Sequence, residues 1–246
     1  MKALSILIAF ILVFSCLSPI DQVEVSASEA EYEAQVAAIL VSYADDPEAA
    51  KLALEELDTI LLSEPTIVEY SSNYNGRGTS PSDYELSVAS TKRSNSNRIY
   101  LSCLLKVNAK EWFPEPLDFM SLEWDTAYGS YYLSTAGGNG CTVQGRDAGI
   151  VLFNIEDDKL SSGDYVYGTV QVEPIAGGWM EYGSKFVHTY TSFDVSGSAS
   201  YSFTPSISVS STGCSLGLSY TKTYTVTVSP STSQWQMWAD NAVNLS

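Results

Sequence analysis

Apolar and hydroxyl residues alternate along the chain from Phe193 to Val228. Up to Val209 the odd positions run Phe193, Val195, Gly197, Ala199, Tyr201, Phe203, Pro205, Ile207 and Val209, and every even position except Asp194 is Ser or Thr. After Ser210-Ser211-Thr212-Gly213 the phase shifts to the even positions: Cys214, Leu216, Leu218, Tyr220, Lys222, Tyr224, Val226 and Val228. Two runs of period two joined by a Gly-containing turn predict a long antiparallel hairpin turning near Ser211–Gly213, with one apolar and one hydroxyl face. Each run is longer than the usual strand of five or six residues.

Upstream the same period predicts shorter strands. Ile99, Leu101, Cys103, Leu105 and Val107 fall on one face of a strand, with Tyr100, Ser102 and Lys106 on the other; Leu104 is out of phase. Further strands are expected near Ser121–Trp124, Ser130–Ser134, Ile150–Ile155 and Tyr165–Val172, separated by Gly, Asn, Asp and Ser. Pro114 and Pro116 exclude a central strand around them.

The period changes to that of a helix between Ala30 and Leu62, with Tyr32, Val36, Ile39 and Tyr43 on one stripe and Ala50, Leu54, Leu57 and Leu61 on the next. Asp46 followed by Pro47 reads as an N-cap and first helical residue, dividing the stretch into an αα-hairpin. Its role is to cover one edge or end of the β domain or, alternatively, to act as a removable pro-segment. The fold class expected is mainly β: an antiparallel β-sandwich or irregular barrel with a long C-terminal hairpin, preceded by a short N-terminal αα-hairpin. The divisions are a signal peptide over 1–27, an acidic helical hairpin over 28–64 and an antiparallel β domain over 65–246.

The expected signal peptide consists of Lys2, an apolar run from Ala3 to about Val13, and the small-residue site Val25-Ser26-Ala27. The run is short of the roughly 20 residues of a membrane-spanning helix. Cys16 offers a rival lipoprotein reading, which Phe14 fits poorly. The protein is therefore expected outside the cell.

A net charge of −17 excludes simple phosphate-neutralising nucleic-acid binding. Residues 29–70 carry eleven Asp or Glu against Lys51 alone. Cys103, Cys141 and Cys214 follow the signal segment. In an oxidising compartment they allow one disulfide, with Cys141 its favoured member because it follows a Gly-rich run. The alternative for Cys103 and Cys214, both on apolar faces, is a buried free thiol.

No catalytic residues are assigned and no cofactor is expected. His188 is the only histidine, and its setting, Phe186-Val187-His188-Thr189-Tyr190, is that of a strand, so a structural role is preferred to that of a general base. Glu123 and Asp125 flank Trp124 and are the carboxylates that a hydrolase reading would use. Glu156, Asp157, Asp158 and Asp164 are a candidate calcium cluster, although their spacing is not that of a known loop and a solvated charged turn competes with it.

Trp124, Tyr128, Tyr131, Trp179, Trp235 and Trp238 are the candidate binding residues, since exposed rings can stack on sugars. Core packing is the competing assignment and the preferred one. In the hairpin, Val195, Tyr201, Phe203, Ile207, Leu216, Leu218 and Tyr224 would face lipid if it entered a membrane. Pro205 and Lys222 weigh against that, because Pro205 would remove a ladder hydrogen bond in mid-strand and Lys222 would face lipid on the apolar side.

The stretch from Tyr182 to Ser192, with the Ser-rich alternation after it, resembles secreted proteins of Gram-positive bacteria, among them larger bacteriocins of the geobacillin kind. The Gly177-Gly178-Trp179 to Gly183 opening is similar to the start of lactococcin-type bacteriocins. The resemblance is confined to the C-terminal segment; it implies an antibacterial role and brings no catalytic residues. The expected function is non-enzymatic binding of a cell-envelope component or glycan. The alternatives are a membrane-active toxin using the 193–228 hairpin and a carboxylate-dependent hydrolase.

Overall fold

The computed structural model describes residues 26–67, 69–71, 79–111, 118–191, 199–203, 224–228 and 232–246. Helix α1 (Ala27–Ser42) begins where the Ser26 hydroxyl accepts the Glu29 N–H, and α2 (Pro47–Glu55) where the Asp46 carboxylate accepts the Ala49 N–H at 3.1 Å. The Asp46-Pro47 start is the one expected, since Asp satisfies an orphan amide and Pro gives up none.

The second helix, however, stops at Glu55 instead of running to Leu62. Asp58 takes a positive φ of 53°, and the chain then enters strand β1 (Thr59–Ile67), which crosses the expected boundary at residue 64. Helical spacing of Leu57 and Leu61 is overridden by pairing of β1 with β3 (Tyr84–Arg93). The Asp58 carbonyl also accepts both the amide and the hydroxyl of Ser94.

The remaining strands are β2 (Glu69–Ser71), β4 (Ile99–Val107), β5 (Asp118–Trp124), β6 (Gly129–Gly137), β7 (Cys141–Asp147), β8 (Ile150–Ile155), β9 (Tyr165–Pro174), β10 (Trp179–Thr191), β11 (Ala199–Phe203), β12 (Tyr224–Val228) and β13 (Thr232–Asn244). Antiparallel pairing builds one sheet in the order β1-β3-β4-β9-β6 and a second in the order β2-β13-β10-β5-β8-β7. The protein is thus a mainly β sandwich of two open sheets, with the helices outside it.

The alternating face of β4 lies in the interior, where Leu101, Cys103 and Leu105 join Met120, Leu122, Phe153, Phe186 and Trp235. The sheets approach closely at Gly168, where an added Cβ would collide with the Phe153 ring. Leu104 points the other way. It packs with Ala89 and Tyr167 beneath Val36, Ala37, Leu40 and Leu54 of the helices, which explains why an apolar residue breaks the alternation. Burying such a side chain stabilises the fold by about 1.5–3 kcal/mol.

Cys103 and Cys141 are free and buried among the described residues, so the favoured role of Cys141 as a disulfide partner is corrected. Both thiols donate to β9 carbonyls, Cys103 to Gly168 at 3.4 Å and Cys141 to Tyr167 at 3.6 Å. Burial pushes the Cys141 thiol up to about 12, against a weaker pull from a backbone hydrogen bond, which makes it unreactive at neutral pH. Cys214 lies outside the described residues.

The hairpin is present as β11 and β12, which pair with each other from Ala199↔Val228 to Phe203↔Tyr224. Apolar positions meet apolar ones (Tyr201↔Val226) and hydroxyl positions meet hydroxyl ones (Ser202↔Thr225). These two strands form a sheet of their own. They stand in the chain between β10 and β13, whose ladder runs from Trp179↔Asn244 to Thr191↔Thr232. The turn near Ser211–Gly213, Val195, Pro205, Ile207, Leu216, Leu218 and Lys222 lie outside the described residues. So do the signal segment up to residue 25, with Cys16, and Pro114 and Pro116.

Candidate functional site

The aromatic residues expected to form a binding face are dispersed. Trp124, at the end of β5, is 1% exposed and its indole N–H donates to the Gly129 carbonyl at 2.9 Å. Trp235 is likewise 1% exposed and donates to the Thr79 carbonyl at 3.0 Å. Both are therefore core side chains, because an indole that finds a partner for its N–H inside the fold gains most from burial. Trp179 is exposed at the start of β10, and the Tyr128 ring lies against neighbouring Gly178. Trp238 is half-buried on β13 opposite Lys185. Trp179 and Trp235 sit toward opposite ends of the β10–β13 ladder, roughly 30 Å apart along the strands.

One open cleft gathers part of this set. It has a volume of about 450 Å³ and is lined by Trp124, Thr126, Gly129, Ser130, Tyr131 and the β7–β8 turn from Arg146 to Gly149. The Tyr131 and Trp124 rings stack at 6.4 Å, and the Arg146 guanidinium lies 4.1 Å from the Tyr131 centroid. Stacking holds the guanidinium in place before any ligand arrives. Arg146 makes no ion pair among the described residues, a notable position for a cation in a chain with net charge −17.

A second site lies at the opposite end of β5, closed inside the sandwich. His188 on β10 is fully buried, with Tyr84, Phe186 and Trp235 rings around it. Its Nδ1 is 2.8 Å from Asp118 Oδ2 and 3.9 Å from Asp157 Oδ2. Its Nε2 is 3.2 Å from both Glu111 Oε2 and Thr79 Oγ1. Glu111 Oε2 also accepts the Thr79 amide at 2.7 Å and hydroxyl at 2.6 Å, while Asp118 Oδ1 accepts the Thr189 amide at 2.8 Å. Asp157 is the exception: it is 3% exposed, and neither of its carboxylate oxygens has a hydrogen-bond partner among the described residues.

Burial works against a charged imidazole at His188, but the Asp118 charge and the Asp118 and Glu111 hydrogen bonds outweigh it, raising His188 to about 10. Burial, reinforced by the Asp118 charge, pushes Asp157 up to about 8, against the opposing pull of His188.

The four acids proposed for calcium do not converge. Glu156 pairs with Lys159 at 2.7 Å, Asp164 accepts the Ser161 amide at 2.8 Å, and Asp158 is exposed. Asp157 alone turns inward. Asp157 and Asp158 share one 3-10 turn (Asp157–Lys159) that Glu156 precedes, so their side chains point in different directions, and Asp164 lies beyond it. Glu123 and Asp125 also separate. Glu123 is buried, its Oε1 accepting the Ser121 hydroxyl at 2.7 Å, and burial lifts it to about 7 despite that bond and the Lys185 charge. Asp125 instead accepts the Ala127 amide at 2.8 Å in the turn after β5.

Sequence reasoning placed His188 in a strand as a structural residue but found none of its partners. Glu111, Asp118 and Thr79 carry no spacing signature relative to it. The one available signal was an acid, Asp118, at the head of an apolar strand.

Compared with family models and with curated proteins, the chain finds no match. Among solved structures it is similar to the sixth cohesin of Acetivibrio cellulolyticus scaffoldin B, in complex with a mutant Cel5 dockerin, at 14% identity and TM-score 0.30, over 37% of this chain and 75% of that one. A structure titled BspA_C_WT matches at 7% identity and TM-score 0.26, over 42% and 54% of the two chains. The Clostridium perfringens NetB toxin in its membrane-inserted form matches at 8% identity and TM-score 0.28, over 76% and 96%. At these scores the likenesses assign the chain to no family.

Proposed function

We propose that the protein is an exported, non-enzymatic binding protein whose ligand is an acidic glycan or another anionic component of the cell envelope. The observation that carries this reading is Arg146, stacked on Tyr131 in an open cleft and without an ion pair among the described residues. A guanidinium recognises a carboxylate or phosphate through two parallel hydrogen bonds, and Thr126 and Ser130 line the same cleft. The net charge of −17 repels an anion at long range, but screening confines that repulsion to about 8–10 Å at physiological salt. Arg146 then acts at contact distance. Retention of the full chain on immobilised polygalacturonate, with none on neutral cellulose, is the expected result, and Arg146→Met abolishes it. Equal retention of wild type and variant would refute the assignment.

A second reading, a membrane-active bacteriocin or toxin, draws support from β11 and β12, which pair with each other and, among the described residues, with no strand of the sandwich. Their register sets apolar positions opposite apolar ones, including Tyr201, Phe203 and Tyr224, as a hairpin entering lipid would require. Dye release from anionic liposomes, lost when Tyr201 and Phe203 are both changed to Ser, is expected on this reading. Intact liposomes at micromolar protein would exclude it.

A further inference from the structure

We propose that Asp118, Asp157 and His188 form a buried binding site for one divalent transition-metal ion, of the zinc class, that ties together three neighbouring strands of the second sheet. Asp118 opens β5, His188 lies near the end of β10, and Asp157 follows β8 by two residues; β10, β5 and β8 are adjacent in that sheet. One donor atom from each of the three residues lies within 4.8 Å of the others.

The spacing suits a metal. An ion with bonds of about 2.0–2.2 Å to nitrogen and oxygen holds its donors about 3–3.5 Å apart. His188 Nδ1 stands 2.8 Å from Asp118 Oδ2 and 3.9 Å from Asp157 Oδ2, two distances that bracket that range.

Asp157 supplies the independent reason to expect an ion. A buried carboxylate normally has hydrogen-bond partners, because leaving one without them is costly. Both oxygens of Asp157 lack them among the described residues, yet its side chain is 98% buried and faces His188. A cation between Asp157 and His188 gives those oxygens their ligand, and Oδ1 can serve as a further donor.

The surroundings are those of a metal-binding histidine. Such a residue uses one ring nitrogen for the metal and donates the other N–H to a carboxylate or carbonyl, which fixes its tautomer. Here Nε2 faces Glu111 Oε2 and Thr79 Oγ1, both at 3.2 Å, leaving Nδ1 toward the two aspartates. Asp118 is oriented in turn by the Thr189 amide on its other oxygen. An imidazole among the donors favours zinc over calcium or magnesium, which take oxygen ligands.

The test uses the full chain, stripped with a chelator and titrated with Zn²⁺ alone, and with Co²⁺ as a spectroscopic probe. The expected result is one equivalent bound, visible Co²⁺ absorption, and a Tm raised by about 5–10 °C when Zn²⁺ exceeds its Kd a hundredfold. Asp157→Asn, which breaks no hydrogen bond, should keep the fold in chelator and weaken Zn²⁺ binding at least about tenfold. Asp158→Asn, on the exposed neighbour, should leave binding unchanged. Absence of stoichiometric binding to wild type would overturn the proposal, as would undiminished binding to Asp157→Asn. Should that variant fail to fold, Asp157→Ser provides the same comparison.

Discussion

Glu33 lies on the buried face of α1 and His188 inside one end of the sandwich, and each anchors a cluster of buried polar groups. At Glu33 the acid faces a neutral donor: Gln171 Nε2 donates to Glu33 Oε1 and to Glu29 Oε1, both at 2.8 Å. The nearby cation, Arg93, pairs with Glu29 at 3.0 Å and lies over the Tyr32 ring at 3.5 Å. Most of the helix contact is apolar, through Leu40 and Leu54 on Leu104, so this polar cluster only supplements a greasy interface. At His188 the balance is reversed. Three carboxylates surround one imidazole, and the bonds among these side chains link segments that are far apart in sequence. Hence buried charge can be incidental to one interface and essential to another, depending on whether apolar contacts could hold the elements together without it.

Breaking the His188 cluster should have the largest effect. His188→Ala leaves Asp118 and Glu111 buried without their shared partner, and a loss of about 3–5 kcal/mol is expected in denaturant unfolding. Leu104→Ala should come next, at about 2–5 kcal/mol, through the cavity it leaves beneath the helices. A loss near zero there would mean that the polar cluster, and not the apolar contact, holds the helices.

Glu33 offers a gentler test, through pH. Burial raises it from its ordinary 4.5 to about 8, against the opposing pull of the Gln171 hydrogen bond, so the folded protein keeps a proton that the unfolded chain has lost. Its contribution is complete below about pH 4.5 and declines as pH rises to about 8. Glu33→Gln should flatten the fall in Tm across that window; an unchanged slope would show that Glu33 does not titrate this way. The smallest effect belongs to Arg93→Met. It removes a partly exposed ion pair but keeps much of the stacking volume, and about 0.5–1 kcal/mol is expected in the same unfolding measurement.

Much of the fold was legible because its signals are local. The β4 alternation set both ends of that strand, Ile150–Ile155 emerged as β8 with the same bounds, and Asp46-Pro47 marked the start of α2. Where local signals competed, tertiary contact prevailed: Leu57 and Leu61 repeat with helical spacing, yet β3 draws Leu61 into a strand. The candidate sites were far less legible. The tryptophans fitted a binding surface or, by preference, the core; Trp124 and Trp235 are core residues whose N–H groups the Gly129 and Thr79 carbonyls accept, whereas Trp179 is exposed.

By itself, the sequence determined the β class, the capped start of α2 at Asp46-Pro47 and the paired alternation of β11 with β12, because capping and period-two patterning depend on residues close along the chain. Only the tertiary structure decided that Asp118, Asp157 and Glu111 meet at His188 and that Arg146 lies on Tyr131. Those meetings depend on strand order and register across two sheets, and no spacing along the chain encodes them.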